Sequence, residues 1–451
     1  MYIYNQIILP TIKKMISWQN RSPFFILILA AIVGALTGML GSIFQISLNV
    51  IIDWHQNFLK DSFTSSKYLN YFLIFIITAI MGAFSYFLVQ RYAPESSGSG
   101  IPEVEGALID LRPIRWWRVL PVKFFGGIAA LGSGMILGRE GPTVQIGANL
   151  GKMVSDTCKL KNKESQHTLI ATGAGAGITT AFNAPLGGIL FIIEEMHDEF
   201  TYTKSSIKAV LVGCITACIT YQLIIGNASI LTIPAPNSVS LNSLWIFIFL
   251  GLILGIIGSF SNFLILHTRS YLANFYKKNN YNIILTGAIL AGIFGLLYSV
   301  ISQLAGDGFN IIPKVVDGLY AFYPLLLIFV FRFFATIICF GSGAPGGIFS
   351  PTMALGAIIG VLFGFIIQNI FPSYDINLSS YAILAMAGLF ASTIRAPLTG
   401  IVIIMEMTNG YMLILPLILT CVSATFIAQT LGSSPLYSAI LQNTLQSKNS
   451  E

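Results

Sequence analysis

The chain has 451 residues, of which only 9% are Asp, Glu, Lys or Arg while 55% are hydrophobic; ordinary soluble domains carry roughly 25% charged residues. So few charges cannot cover the surface of a soluble protein of this length, which excludes a soluble enzyme, a nucleic-acid binder, a coiled coil and a disordered chain. The net charge of +6 reads as topology-setting charge, and the chain reads as an all-α polytopic membrane protein.

In chain order, residues 1–23 carry Lys13, Lys14 and Arg21 and no acid, so the positive-inside rule makes them a cytoplasmic N-terminal segment. No small-residue cleavage site follows, so a cleaved secretory signal is not expected. Phe24 to Ile52 is uncharged and longer than a ~30 Å hydrocarbon core requires, so it should be tilted or broken. Uncharged runs recur at Tyr71–Gln90, Ala209–Thr268 (interrupted by the polar stretch Gly226–Ser243), Tyr281–Gly306, Phe333–Tyr374, Ile376–Ile394 and Met407–Ser447. At roughly 20 residues per span these give more than ten membrane segments within a transport domain at 24–440. Lys152–Lys163 and the pair Lys277, Lys278 should be cytoplasmic, as should a short tail at 441–451. The five cysteines and four histidines show no metal-ligand spacing, and no catalytic triad or cofactor motif is present.

Residues 132–151, GSGMILGREGPTVQIGANLG, resemble residues 341–360, GSGAPGGIFSPTMALGAIIG, without gaps. A second pair is APLGGILFIIEEM at 184–196 and APLTGIVIIMEMT at 396–408. Offsets of 209 and 212 nearly agree, so the chain holds two copies of one unit, about 24–226 and about 244–440. In duplicated membrane folds the site lies at the repeat interface, where Gly/Pro-interrupted segments at matching positions mark it. Here those are Gly138–Pro142 and Gly347–Pro351. Each reads as an extended glycine stretch followed by a helix start, with Pro in the first turn. First-turn amides lack intrahelical acceptors and carry the positive end of the helix dipole, so two converging starts make a neutral site for a small anion. Glu140 lies inside the first start, where its carboxylate would compete for the anion's place until protonation releases it. Pairing with Arg139 is disfavoured because adjacent helical residues do not face each other. Glu194 and Glu195 end an apolar helix and read either as a solvated helix end or as functional acids. Arg332, Arg395 and Glu406 read as structural pairs or snorkelling side chains, and Lys123 as a buried partner of Glu103 or Glu105.

Four motifs, GSGIPE at Gly98–Glu103, GREGP at Gly138–Pro142, GGIFSP at Gly346–Pro351 and PLYSAI at Pro435–Ile440, resemble the CLC chloride channel/transporter family in order and spacing. The pattern is most similar to the bacterial proton-coupled chloride antiporters. The resemblance implies two inverted-topology repeats of tilted and broken helices, a homodimer with one anion pathway per subunit, and the inner membrane of a bacterial cell. It implies chloride-binding hydroxyls from Ser99 and Tyr437, backbone amides of Ile348 and Phe349, and outer-site amides of Arg139 and Gly141. Glu140 would be the gate and proton acceptor, Glu195 the internal proton-transfer group, and Glu194 an acid on the water-filled proton route. His197 and Glu199 near that internal group are individual to this chain. Ser99 matches the chloride-selective form of the family. The expected function is therefore chloride/proton antiport without metal or cofactor. A passive chloride channel on the same fold is the alternative, and a membrane-embedded enzyme lacks a nucleophile.

Overall fold

The structure, a computed structural model, describes residues 23–58, 66–196, 200, 202–231, 233, 240–279, 281–372, 374 and 377–449. The basic residues Lys13, Lys14 and Arg21, and the pair His197 and Glu199, lie outside them. The uncharged run that opens the fold forms one unbroken helix, α1 (Pro23–Phe58), followed by α2 (Lys67–Tyr92), α3 (Ile101–Leu108) and α4 (Trp116–Gly132). Next come α5 (Glu140–Thr157), α6 (Lys163–Phe182), α7 (Pro185–Glu195) and α8 (Lys204–Ile225). The second half repeats that order as α9 (Leu244–Lys278), α10 (Tyr281–Val300), α11 (Ile312–Val316) and α12 (Phe322–Gly341). It closes with α13 (Phe349–Ile370), α14 (Leu378–Ile394), α15 (Pro397–Thr408) and α16 (Ile414–Thr430), and α17 (Leu436–Asn449) has no counterpart.

Of the two outcomes expected for the first uncharged run, the structure excludes a break. Its 36 residues span about 54 Å at 1.5 Å per residue, so the excess over the hydrocarbon core must be taken up by tilt or protrusion. Eight helices among the described residues are long and apolar enough to cross a membrane. Full spans are fewer than run-length counting gives, because α7, α14 and α15 are shorter helices started by Pro or capped early. Their ends fall inside protein, where non-helical backbone is tolerated. Glycine and proline, not polarity, set these boundaries.

Four helices form the centre. Every residue of α5 from Glu140 to Gly151 is buried, as is every residue of α14 from Ser379 to Ile394. They pack as two equivalent pairs, α5 with α6 and α13 with α14, while α1–α8 and α9–α16 form the outer pairs. The close approach comes from matched glycines. A Cβ on Gly147 would lie 2.0 Å from the Gly173 carbonyl oxygen, and one on its counterpart Gly356 would lie 2.5 Å from that of Ala385. The outward faces carry Phe72, Ile80, Phe263 and Leu327, all more than half exposed. Apolar exposure on that scale belongs in hydrocarbon, and the chain is a multi-pass integral membrane protein. Gly147→Leu should therefore drive backbone apart and cost at least about 1–3 kcal/mol. Thermal unfolding in detergent would show this, and an unchanged midpoint would mean that α5 and α6 are not locked together there.

Candidate functional site

The two matched glycine stretches meet. Gly138 N–H donates to the Gly347 carbonyl at 2.8 Å, and Gly347 N–H donates to the Gly138 carbonyl at 2.7 Å. This is an isolated antiparallel bridge between equivalent residues of the two halves. Immediately beyond it the chain turns into α5 at Glu140 on one side and into α13 at Phe349 on the other. Both helix starts are thereby pinned nose to nose inside the protein, as the repeat predicts.

Glu140 is fully buried, and its carboxylate reaches across to the opposite helix start. Oε1 accepts from the Phe349 amide at 2.6 Å and Oε2 from the Ser350 hydroxyl at 3.0 Å. The Glu140 backbone N–H also bonds its own carboxylate. The carboxylate thus holds the donors that an anion would use. Space for it exists because residues 138 and 347 lack side chains. A Cβ on Gly138 would lie 2.1 Å from Oε2, and one on Gly347 would lie 2.1 Å from Oε1. Ser350 was not singled out in the sequence; its counterpart in the first half is Gly141, so comparing the repeats gives no signal for it.

Below this seat Phe349 is enclosed by rings. Phe390 stands edge-on at 4.6 Å, with Tyr437 at 5.9 Å, Phe191 at 6.0 Å and Phe182 at 6.3 Å. That collar fixes the first turn of α13 and shields it from water. Ile348 is the buried residue preceding that turn. Tyr437, from α17, is fully buried. Its hydroxyl lies beside that of Ser99, within reach of a hydrogen bond between the two. Ser99 Oγ accepts from the Ile101 amide at 3.1 Å, which turns its hydroxyl hydrogen away from its own helix. Two buried hydroxyls side by side offer O–H donors for which an anion is a natural partner. Glu140, Glu195 and Glu105 all lie within electrostatic reach of Tyr437. The structure therefore brings Ser99, Phe349 and Tyr437 together, with Ile348 preceding Phe349, and sets Glu140 and Glu195 within electrostatic reach of Tyr437.

Arg139 does not face Glu140. Its guanidinium pairs with Asp307 at 3.6 Å and lies over the Phe309 ring at 4.6 Å. Asp307 belongs to a loop held by Arg332, which donates to the carbonyls of Gln303, Ala305 and Gly306, each at 3.0 Å. The equivalent position in the first half is Lys123, which donates to the carbonyls of Ser96 at 3.0 Å and Gly98 at 2.7 Å. The expected pairing of Lys123 with Glu103 or Glu105 is thus replaced by backbone acceptors, and Glu103 instead takes Arg112 through two bonds. One buried cation anchors the loop bearing Ser99, and the other anchors the loop bearing Asp307.

Glu194 and Glu406 are equivalent residues with reciprocal partners. Glu194 accepts from the Leu398 and Thr399 amides at 3.0 and 2.7 Å, and from the Thr399 hydroxyl at 2.8 Å. Glu406 accepts from the Leu186 and Gly187 amides at 3.1 and 2.8 Å. Each carboxylate caps the helix that carries the other, α15 and α7 respectively. Both oxygens of Glu194 are committed to that cap, whereas Glu195, next along α7, is half-buried toward the Tyr437 side. Arg395 ends α14 in a left-handed conformation and donates to the Ser433 carbonyl, tethering the segment that leads to Tyr437.

Two inverted repeats whose helix starts present neutral donors to one buried carboxylate define a duplicated, all-helical membrane protein whose halves meet at that carboxylate. The family model described as voltage gated chloride channel matches residues 81–429, and the chain belongs to that family, the CLC family. It is 47% identical over 436 residues to the H(+)/Cl(-) exchange transporter ClcA of Klebsiella pneumoniae, covering 96% of this chain and 92% of that one. With the transporter of the same name from Vibrio cholerae it shares 45% over 430 residues, covering 95% and 92% of the two chains. Among solved structures it is similar to a slow cyanobacterial Cl-/H+ antiporter, with a TM-score of 0.89 and 37% identity over 94% of this chain and 99% of that one.

The Gly347 backbone is not left-handed, so Gly347→Ala is conformationally permitted; its methyl group would lie 2.1 Å from Glu140 Oε1 and 2.8 Å from the Gly141 backbone nitrogen, displacing the carboxylate and pressing on the first turn of α5. If the seated carboxylate controls anion entry, chloride efflux from liposomes should then be insensitive to pH. Retention of the wild-type pH profile would show that the carboxylate does not need this seat.

Proposed function

We propose that this protein exchanges chloride for protons across the inner membrane of a bacterial cell, as a homodimer with one pathway in each subunit. The carrying observation is the Glu140 carboxylate on the Phe349 amide and the Ser350 hydroxyl, a set of neutral donors equally suited to a halide. Chloride binds between the Ser99 and Tyr437 hydroxyls and the amides of Ile348 and Phe349. Neutral donors matter here, because full lysine charges would hold the anion too tightly for release. Arg139 and Gly141 contribute backbone amides on the outer side.

Glu140 acts as gate and proton acceptor. Ionised, it occupies the anion's donors; protonated, it gives up the charge that holds it there and moves away. Glu195 relays protons between the cytoplasmic side and Glu140, past Tyr437. Glu194 lies beside that route and caps α15. Nothing in the cycle calls on a metal, a nucleotide or a nucleic acid, and the free energy comes from the two ion gradients. The 47% and 45% identical relatives are named as exchangers, which supports coupled exchange over a passive channel. The N-terminus lies in the cytoplasm, where Lys13, Lys14 and Arg21 belong. The transport domain spans 24–440, and the tail at 441–451, of which residues 441–449 continue α17, lies on the same side.

The test uses purified protein in chloride-loaded liposomes with an outward chloride gradient and equal pH on both sides. Coupled exchange takes protons up as chloride leaves, so external pH rises, and a protonophore abolishes the rise. Chloride efflux without proton movement would make the protein a channel. Glu195→Gln should keep chloride flux and lose the proton movement; normal proton pumping by that variant would remove Glu195 from the route. Glu140→Ala should conduct chloride at a rate independent of pH, and full coupling in that variant would sink the gate assignment.

A further inference from the structure

A cavity of about 510 Å³ opens between the end of α2 and the start of α4, the two helices that flank the segment bearing Ser99 and α3. Its apolar lining is formed by Phe84, Leu88, Val122 and Phe125, of which Phe84 and Phe125 are exposed. Its rim is different, carrying Arg91, Tyr92, Trp117 and Arg118. The four arginines nearest this edge fall into two pairs. Arg112 and Arg115 are each bound through two hydrogen bonds to a carboxylate, Glu103 and Glu95 respectively. Arg91 and Arg118 have no side-chain partner among the described residues, and both border the cavity. Two exposed cations without an acid therefore stand over an apolar slot.

The rim sits at the membrane boundary. Trp116 Nε1 donates to Asp156 at 3.2 Å, and Lys163 reaches Asp110 at 2.7 Å, so the start of α4 adjoins the charged stretch between α5 and α6. The hydrogen bond from Lys163 holds the Asp110 carboxyl below its usual range, as befits an ion pair at a water-facing loop. Trp and Tyr at such a level favour the headgroup zone, with apolar residues one turn deeper facing acyl chains.

We propose that this groove is a binding site for one anionic phospholipid, with its phosphate between Arg91 and Arg118 and an acyl chain along Phe84, Leu88 and Phe125. Charge complementarity selects the occupant. A zwitterionic lipid brings its own cation to a rim that already holds two, and a basic polypeptide segment is repelled. A free inorganic anion leaves the apolar wall uncovered. Planar guanidinium groups suit phosphate because each presents paired donors. The bound lipid bridges α2 and α4 near their ends, in addition to the bond from Ser85 Oγ to the Gly126 carbonyl at 2.8 Å. Its wall residue Val122 adjoins Lys123, which anchors the loop bearing Ser99, so the lipid steadies the scaffold under that loop.

The experiment is native mass spectrometry of the full chain, delipidated in mild detergent and given phosphatidylglycerol, phosphatidylcholine or inorganic phosphate in parallel. One phosphatidylglycerol should be retained per chain in excess of the phosphatidylcholine control, and inorganic phosphate should neither be retained nor displace it. Arg91→Gln with Arg118→Gln should weaken retention roughly 30-fold, and each single change about fivefold. Both side chains are exposed, so the single variants keep the proposal testable if the double variant folds poorly. Equal retention of phosphatidylcholine, full competition by inorganic phosphate, or wild-type retention by the folded variants would each overturn it.

Discussion

Two hydrogen bonds between Gly138 and Gly347 hold the functional centre together. They join the ends of two extended segments so that both following helices begin at one point inside the protein. Their first-turn amides and dipole ends are therefore aimed at a common volume, and the positive potential there arises from backbone alone. Had either residue carried a side chain, the Glu140 carboxylate would have no room on the opposite helix start. The glycine stretches are thus required by contact as well as by chain direction. The aromatic collar on Phe349 and the close glycine packing of α5–α6 and α13–α14 serve to keep this junction from shifting.

Around the junction the duplicated scaffold solves the same burial problem twice. Lys123 and Arg332 occupy equivalent positions, and each places its cation among the carbonyls of the loop preceding a short helix. Glu194 and Glu406 do the reverse, taking first-turn amides of the short helix in the other half. In every case a buried or half-buried charge meets backbone dipoles, which offsets its desolvation without adding another charge. Function enters where the equivalence breaks. The counterpart of Glu140 is Phe349, so only one of the two helix starts carries a carboxylate. Tyr437 comes from α17, the helix without a counterpart.

Much of this was legible from residues alone. Glycine and proline spacing located the repeat, the helix starts and Glu140, because backbone conformation at those points depends directly on residue type. The partners of Lys123 and Arg332 were not legible, since a carbonyl acceptor leaves no mark on the sequence and nearby Glu103 offered a plausible decoy. Arg139 was correctly separated from Glu140, yet its real partner, Asp307, lies in the other half and carries no motif of its own. Glu194 shows the same limit. Two adjacent acids at a helix end look alike in sequence, and only the meeting of α7 with α15 separates a cap from a neighbour facing Tyr437. That α1 exceeds the hydrocarbon thickness was legible, although the helix runs past the uncharged stretch to Phe58; tilt and a break were left open, because an uncharged run contains nothing that distinguishes them.

A single seat with two possible occupants is sufficient for coupling on the proposed reading. If the carboxylate and chloride use the same amide and hydroxyl, each can be present only when the other has left. Chloride binding and proton uptake at Glu140 then favour one another, and linkage makes the effect equal in both directions. No moving domain is needed to enforce it, because the competition is for donors and not for a conformational state. A charged cation at the seat would weaken that exchange by holding both anions strongly. Neutral helix ends leave the balance close enough for a proton to decide it. The burial of Lys123 and Arg332 in backbone cradles away from Glu140 is consistent with that requirement: they shape the loops on either side of the pathway while the seat itself stays free of fixed positive side chains.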